Sequence, residues 1–454
     1  MTEITNTTNE VIKAILVGLN TPDREKEGTV SDFDHSMTEM KSLVEACDLE
    51  VAGIVTQSLE HPESGTYIGK GKAYEIADTI RDTGAEYCIF EGNLSPAQMK
   101  NLQRIVEVPV WDRTNLILEI FSRRAKTREA KLQVESAYLH FMLPRLTGMW
   151  QHLGRQGGGS GSRSNKGIGE TQIELDRRHI NHRLAELSKE LDTISKTRKV
   201  QRLGRQSGML PTVALVGYTN AGKSSLMNRL ISLSEKVTKR NPEDTEEKKV
   251  FEKDMLFATL DTSVRRIYTG DKKDFLLSDT VGFIENLPHG LVKAFRSTLE
   301  EIKYAQLLLI VLDASDPYHK QHRLVTEKTL AELEPLDIPR IYVMNKADLL
   351  ESKEASVMSV AEGIQGNAVT VYISAKTGEG IDELLKRINE VLHKGEKKME
   401  VLIPFSKGEL LGRLHTSGAV ISEEYTEDGT LATIDCPVYM KDELAEYLKS
   451  GAVE

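Results

Sequence analysis

A chain of 454 residues, 39% of them hydrophobic and 28% charged, is long enough for about three domains, each able to bury its own core. Its formal charge of -10 excludes indiscriminate polyanion binding by the whole surface, and the lack of any long apolar run or signal-peptide pattern argues against a membrane-spanning or exported protein. Cys47, Cys88 and Cys436 are too far apart for a metal or redox motif, so they read as reduced thiols of a cytoplasmic protein.

In chain order, residues 11–112 alternate between the two periodicities. Val11–Val17, Leu49–Val55, Glu86–Phe90 and Val108–Trp111 read as strands, and Met37–Ala46, Ala73–Arg81 and Pro96–Val106 as helices. Such alternation predicts a small parallel sheet with right-handed crossovers. Gly69-Lys70-Gly71-Lys72 could touch a phosphate, but it lacks the rest of a nucleotide motif and reads as a helix-entry loop.

From Asn115 a long run of good helix formers continues to Pro144, and a second helix is expected from about Glu170. In the second, Ile173, Ile180, Leu184, Leu187, Leu191 and Ile194 recur at coiled-coil spacings. Two such helices most economically form an antiparallel hairpin. Residues 121–205 carry 18 Lys plus Arg against 8 Asp plus Glu, a local net of +10 that leaves -20 for the remainder. Charge alone fits either a directed polyanion contact or a solvated helical face. The loop between the helices, 154–169, is rich in glycine and serine and carries Arg155, Arg163 and Lys166. It is either an inert linker or a basic finger whose backbone approaches phosphates closely. The hairpin placement favours contact with nucleic acid, and with RNA over DNA because no groove-reading module is visible.

Residues 211–394 return to alternating strand and helix. Val213–Val216 reads as a buried strand, followed by Gly217-Tyr218-Thr219-Asn220-Ala221-Gly222-Lys223-Ser224-Ser225 and then a helix. This is a phosphate-binding loop. Its glycines turn successive N–H groups into one concavity above a helix N-terminus, Lys223 reaches the β- and γ-phosphates, and Ser224 offers its hydroxyl to Mg²⁺. Asp279-Thr280-Val281-Gly282 ends a further strand; Asp279 can hold Mg²⁺ through water and the Gly282 N–H can bond the γ-phosphate. Between them must lie a threonine that closes on the metal, with Thr259 preferred over Thr262. Asn345-Lys346-Ala347-Asp348 selects guanine, because the Asp348 carboxylate can accept from both the ring N–H and the exocyclic amine, which adenine does not offer. Asn345 would buttress that loop and the Lys346 stem would cover the base. Ser374-Ala375-Lys376 would present the Ala375 N–H to the guanine keto oxygen. Four motifs in this order, each ending a strand, predict a GTPase using GTP/GDP and Mg²⁺, with Lys223, Thr259 and Gly282 at the reacting phosphate. Phe283 stands where many GTPases carry a water-orienting glutamine, so slow intrinsic hydrolysis with partner activation is expected. The last sixty or so residues read as strand, helix, two strands around Glu427-Asp428-Gly429 and a final helix.

Four stretches are longer than generic motifs: 112–137, 169–178, 279–301 and 311–317 (VLDASDP). They resemble the HflX family of GTPases, and the resemblance covers nearly the whole chain. It implies an α/β multidomain fold: an N-terminal α/β domain (1–114), a helical hairpin (115–207), a P-loop GTPase domain (208–395) and a small α+β domain (396–454). It also implies a cytoplasmic, monomeric factor that binds the large ribosomal subunit, with the hairpin loop near the peptidyl-transferase centre, and splits or rescues stalled ribosomes. A hydrophobic residue at the Phe283 position is itself a family trait. The chain departs from the family in the run Arg163–Ile168, which implies altered contacts at the loop tip and an altered response to ribosome-targeting antibiotics, in the long charged segment 234–254, and at Ser263. A GTP-gated RNA-binding or subunit-assembly factor is the alternative. An ATP-driven RNA-remodelling activity of the N-terminal domain ranks last, since no second phosphate loop is present there.

Overall fold

The computed structural model describes residues 11–22, 33–146, 164–207, 210–238, 256–257, 263–270, 273–285, 300–332, 338–350, 369–394, 396–417, 419–436 and 441–453. They fall into two compact units, one holding the residues up to Thr193 together with Leu256 and Phe257, the other holding the rest.

The first unit is built on a four-stranded parallel sheet of order β2-β1-β3-β4, from β1 (Lys13–Asn20), β2 (Glu50–Ser58), β3 (Tyr87–Phe90) and β4 (Val110–Trp111). The crossovers are α1 (Phe33–Ala46), α2 (Lys70–Thr83) and α3 (Pro96–Val106). The continuous apolar run Ala14–Val17 is buried because β1 is an interior strand covered on both faces. Gly69 caps α2, in keeping with the helix-entry reading of 69–72. Ser95 and Gln98 close a capping box on α3.

The single helix expected from Asn115 is in fact two, α4 (Arg113–Arg124) and α5 (Arg128–Met142). Asp112 caps the first, and the Thr127 hydroxyl caps the second by accepting from the Ala130 N–H. The reason is local: a threonine side chain satisfies an orphan N–H that continuous helix would not need satisfied. α4 buries Leu116, Ile117, Leu118, Ile120 and Phe121. Phe257 packs edge-on against Phe121, with ring centroids 4.7 Å apart.

α5 pairs with α6 (Ser164–Ser207), a helix of 44 residues. Arg183 grips Glu135 with two hydrogen bonds of 2.7 and 2.9 Å, and Arg128 meets Glu190 at 2.7 Å. As numbering rises along one helix it falls along the other, so the pair is an antiparallel hairpin. α6 starts six residues before the expected Glu170, which puts Lys166 in its first turn rather than in the loop. Helix propagation adds one bond per residue once nucleated, and it tolerates Gly167 and Gly169 at about 1 kcal/mol each.

The second unit contains a six-stranded sheet of order β10-β9-β8-β5-β7-β6. Its strands are β5 (Thr212–Gly217), β6 (Ser263–Ile267), β7 (Phe275–Asp279), β8 (Leu307–Asp313), β9 (Arg340–Asn345) and β10 (Val369–Tyr372), all parallel except β6. The helices with described bounds are α7 (Lys223–Thr238), α8 (His319–Glu332) and α9 (Ile381–Leu392). β5 sends Val213 and Leu215 into one core layer and Ala214 and Val216 into the other. A smaller antiparallel sheet of order β12-β13-β11-β14 follows, from β11 (Lys397–Ile403), β12 (Val420–Thr426), β13 (Gly429–Cys436) and β14 (Leu448–Val453), with α10 (Gly408–Ser417) packed on it. The expected final helix is only Lys441–Leu444, labelled α11; the chain then ends as a strand paired with β11. Leu448–Val453 has little strand propensity of its own, and pairing with β11 overrides it.

Candidate nucleotide-binding site

The phosphate loop joins β5 to α7, and its glycines are required by contact as well as by dihedral. Gly217 has φ 149° and Gly222 φ 88°. A Cβ on Gly217 would stand 2.2 Å from the Val311 carbonyl oxygen, and one on Gly222 2.1 Å from Asn345 Nδ2. Asn220 also takes a left-handed φ of 59° and is exposed. Lys223 is buried, and its ammonium donates to the carbonyls of Gly217 (3.0 Å) and Tyr218 (2.7 Å). Burial pushes Lys223 down to about 8, against the opposing pull of Asp279.

β7 carries Asp279 to the far side of the loop. The Ser224 hydroxyl donates to Asp279 Oδ2 at 3.3 Å. Thr280 fastens this strand end to β5 by donating to the Leu215 carbonyl at 2.6 Å. The next residues lie directly on the phosphate loop. The Thr219 N–H donates to the Phe283 carbonyl (2.8 Å), and the Phe283 N–H to the Gly217 carbonyl (3.1 Å). The Phe283 ring is buried in the core beneath. A Cβ on Gly282 would lie 3.1 Å from Lys223 Nζ, so the Gly282 backbone sits against that ammonium.

The base-reading segments converge on Asn345, which is 2% exposed. Its Nδ2 donates to the Ala221 carbonyl at 2.9 Å, and its Oδ1 accepts the Ala375 N–H at 3.0 Å. The Ala375 N–H, expected to face guanine, is thus engaged by Asn345 here. Lys346 has φ 63°, and its ammonium lies 2.7 Å from Asp313 Oδ2. Asp348 and Lys376 are exposed at the rim, and Ser374 is buried, its hydroxyl accepting from the Thr377 N–H at 3.1 Å. Ser225 is half-buried in the first turn of α7.

The structure therefore brings Gly217–Ser225, Asp279, Gly282, Asn345, Lys346, Asp348 and Ser374–Lys376 to the strand-end face of one sheet, where ligands of open α/β folds bind. Thr259, Thr262, Arg155 and Arg163 lie outside the described residues. Of Lys166 the structure gives the backbone alone.

Sequence reasoning missed the polar residues that tie the motifs together. Asp313 pairs with Lys346, and the Ala314 N–H donates to the Asn345 carbonyl at 2.8 Å. His322 of α8 stacks on Tyr218. Arg229 of α7 donates to the Thr377 carbonyl at 2.7 Å, clasping the loop that contains Gly378. The VLDASDP stretch was visible as a run of unusual residues, but its partners are distant in sequence and carry no local signal.

A phosphate loop at the end of an interior parallel strand, an aspartate facing its serine and an Asn-Lys-x-Asp turn on the adjoining loop define a P-loop GTPase. Four family models match the chain consecutively: GTP-binding GTPase N-terminal over residues 34–122, GTP-binding GTPase middle region over 124–205, 50S ribosome-binding GTPase over 212–346, and the HflX C-terminal domain over 359–448. The chain is 39% identical over 438 residues to the GTPase HflX of Caldanaerobacter subterraneus subsp. tengcongensis, covering 96% of this chain and 94% of that one. It is 40% identical over 396 residues to the GTPase HflX of Escherichia coli K12, covering 87% and 88%. Among solved structures, a GTP-binding protein from Sulfolobus solfataricus in complex with GDP is similar at 23% identity and a TM-score of 0.42, covering 84% of this chain and 98% of that one. This chain belongs to the HflX family of GTPases.

Proposed function

We propose that this GTPase acts in the cytoplasm as a monomer that binds the large ribosomal subunit and splits or rescues stalled ribosomes, with hydrolysis slow in the free protein and stimulated by the subunit. The observation that carries the reading is Phe283. Its ring is buried and both of its backbone groups are bonded to the phosphate loop, so no side chain at this position orients water. A partner that supplies or aligns a group is then needed for fast turnover. The basic hairpin segment and the 50S ribosome-binding description of the matched GTPase model support the ribosome as that partner.

In this reading the N–H groups of Gly217–Ser225 cradle the phosphates, and Lys223 leaves its two carbonyls for the β- and γ-oxygens. Gly282 reports the γ-phosphate, Asp348 reads guanine, Ala375 joins it when its N–H turns from Asn345 to the guanine keto oxygen, and the Lys346 stem covers the base. Ser224 and Asp279 are hard oxygen donors brought within 3.3 Å of each other, a pair that fits Mg²⁺ with Thr259 completing the set. Bound there, the ion would offset charge developing between the β- and γ-phosphates. Arg155, Arg163 and Lys166 make the RNA contact near the peptidyl-transferase centre, and the altered run 163–168 would change the response to antibiotics bound there. The four-domain division, 1–114, 115–207, 208–395 and 396–454, is part of the same proposal.

GTP turnover with and without purified large subunits, with Lys223→Ala as the blank, tests the reading. Strong stimulation is expected, together with conversion of whole ribosomes to subunits on sedimentation. Stimulation without conversion would instead favour a GTP-gated assembly factor, and fast turnover by the free protein would contradict the role given to Phe283.

A further inference from the structure

Among the described residues, the turn Gly282–Glu285 is fastened to the phosphate loop at three points. Two are the backbone bonds of Phe283 to Thr219 and Gly217, which any residue can make. The third passes through a side chain: the Glu285 N–H donates to the Tyr218 hydroxyl at 2.9 Å. Tyr218 is 4% exposed, and one face of its ring is covered by the imidazole of His322. The two centroids are 3.8 Å apart and the planes 11° from parallel.

His322 is itself held. Asp316 Oδ2 lies 3.5 Å from its Nδ1. Asp316 in turn accepts the Tyr318 N–H at Oδ1 (2.8 Å) and the His319 N–H at its carbonyl (3.1 Å). The Thr326 hydroxyl donates to the His322 carbonyl at 2.7 Å, within α8. The imidazole is therefore a fixed plate on a rigid helix, and Tyr218 lies flat against it.

We propose that His322 is a positioning residue for GTP hydrolysis. Its stack fixes the Tyr218 ring, the ring fixes the hydroxyl, and the hydroxyl fixes Glu285 and with it the turn that holds Gly282 against Lys223. The Gly282 N–H is the group that meets the γ-phosphate in the reading above, and an ångström of drift there degrades hydrolysis while leaving the phosphate cradle and the base pocket intact. GDP has no γ-phosphate, so its affinity should depend little on where the Gly282 N–H sits.

The bland alternative is that His322 simply fills space over Tyr218. The test separates the two with variants that keep either volume or plane. His322→Phe keeps an aromatic plane, His322→Leu keeps bulk without one, and His322→Ala keeps neither. Steady-state phosphate release, measured on the free protein over a range of GTP concentrations, reads kcat and KM independently of any ribosome effect. The expected result is a fall in kcat of about tenfold for His322→Ala and His322→Leu, with KM and fluorescent-GDP affinity within about twofold of wild type and His322→Phe close to wild type. Tyr218→Phe, which deletes the hydroxyl, should reproduce the kcat loss, and combining it with His322→Ala should cost little more, because both act through one bond. Wild-type kcat in His322→Leu, loss in His322→Phe equal to that in His322→Ala, or fully additive losses in the double variant would each overturn the proposal. If His322→Ala does not fold, the Phe and Leu pair still decides it.

Discussion

Lys223 shows how a single residue is committed to its ligand before the ligand arrives. Burial lowers its pKa to about 8 in the nucleotide-free protein, and phosphate oxygens would restore the charged form. Below about pH 8 both states carry the proton and affinity is flat. Above it the free protein must take up a proton to bind, so affinity for GDP should fall with rising pH by up to about tenfold per unit until the ordinary lysine value. Fluorescent-GDP titrations at stepped pH, with proton uptake read by calorimetry in two buffers, check this; unchanged affinity up to pH 9.5 would refute it. Gly222 makes a second case. Its Cβ position is taken by Asn345 Nδ2, so Gly222→Ala must displace the carboxamide that ties Ala221 to Ala375. Losing those bonds costs about 1–3 kcal/mol, an expected drop in nucleotide affinity of roughly five- to 150-fold by the same titration.

The hairpin element is set by its ends and by a few cross-helix pairs. The stripe from Ile173 to Ile194 predicted a helix that packs, and charge pairs such as Arg183–Glu135 settle its antiparallel register. The break between α4 and α5 was legible in principle, since Thr127 followed by Glu129 is a helix-start pattern. It was obscured because the flanking residues are all good helix formers. Thr127→Ala should therefore lower stability by about 1 kcal/mol through loss of the cap. Urea denaturation monitored by circular dichroism reads the midpoint, and Thr127→Ser should restore it.

At the scale of the whole molecule, the large and small sheets of the second unit are joined by a charged pair at their junction. Glu396, at that junction, pairs with Lys273 of the nucleotide-binding sheet and lies 2.6 Å from His393 Nδ1. Burial disfavours its charge, but His393 and Lys273 outweigh that and hold its pKa below the ordinary carboxylate value. A lowered carboxylate contributes stability that is present above the unfolded-state pKa and lost as pH falls through the folded one. Glu396→Gln should accordingly be less stable than wild type near neutrality, and its disadvantage should shrink below about pH 4. Thermal melts across pH 3–7 would show it; a gap independent of pH would mean that the pair contributes only packing.

By itself the sequence determined the class of chemistry and the order of elements, because phosphate and guanine recognition depend on short contiguous runs whose glycines and carboxylates leave few alternatives. The strand alternation that announced two α/β sheets is likewise local, since periodicity is a property of neighbouring residues. Only the tertiary structure decided that Asn345 bridges Ala221 to Ala375, that Asp313 and His322 reach back to the motif loops, and that Leu448–Val453 is a strand. Each of these rests on a partner tens of residues away, and a contact made across a sheet or between a helix and a loop leaves no periodic trace in the chain that makes it.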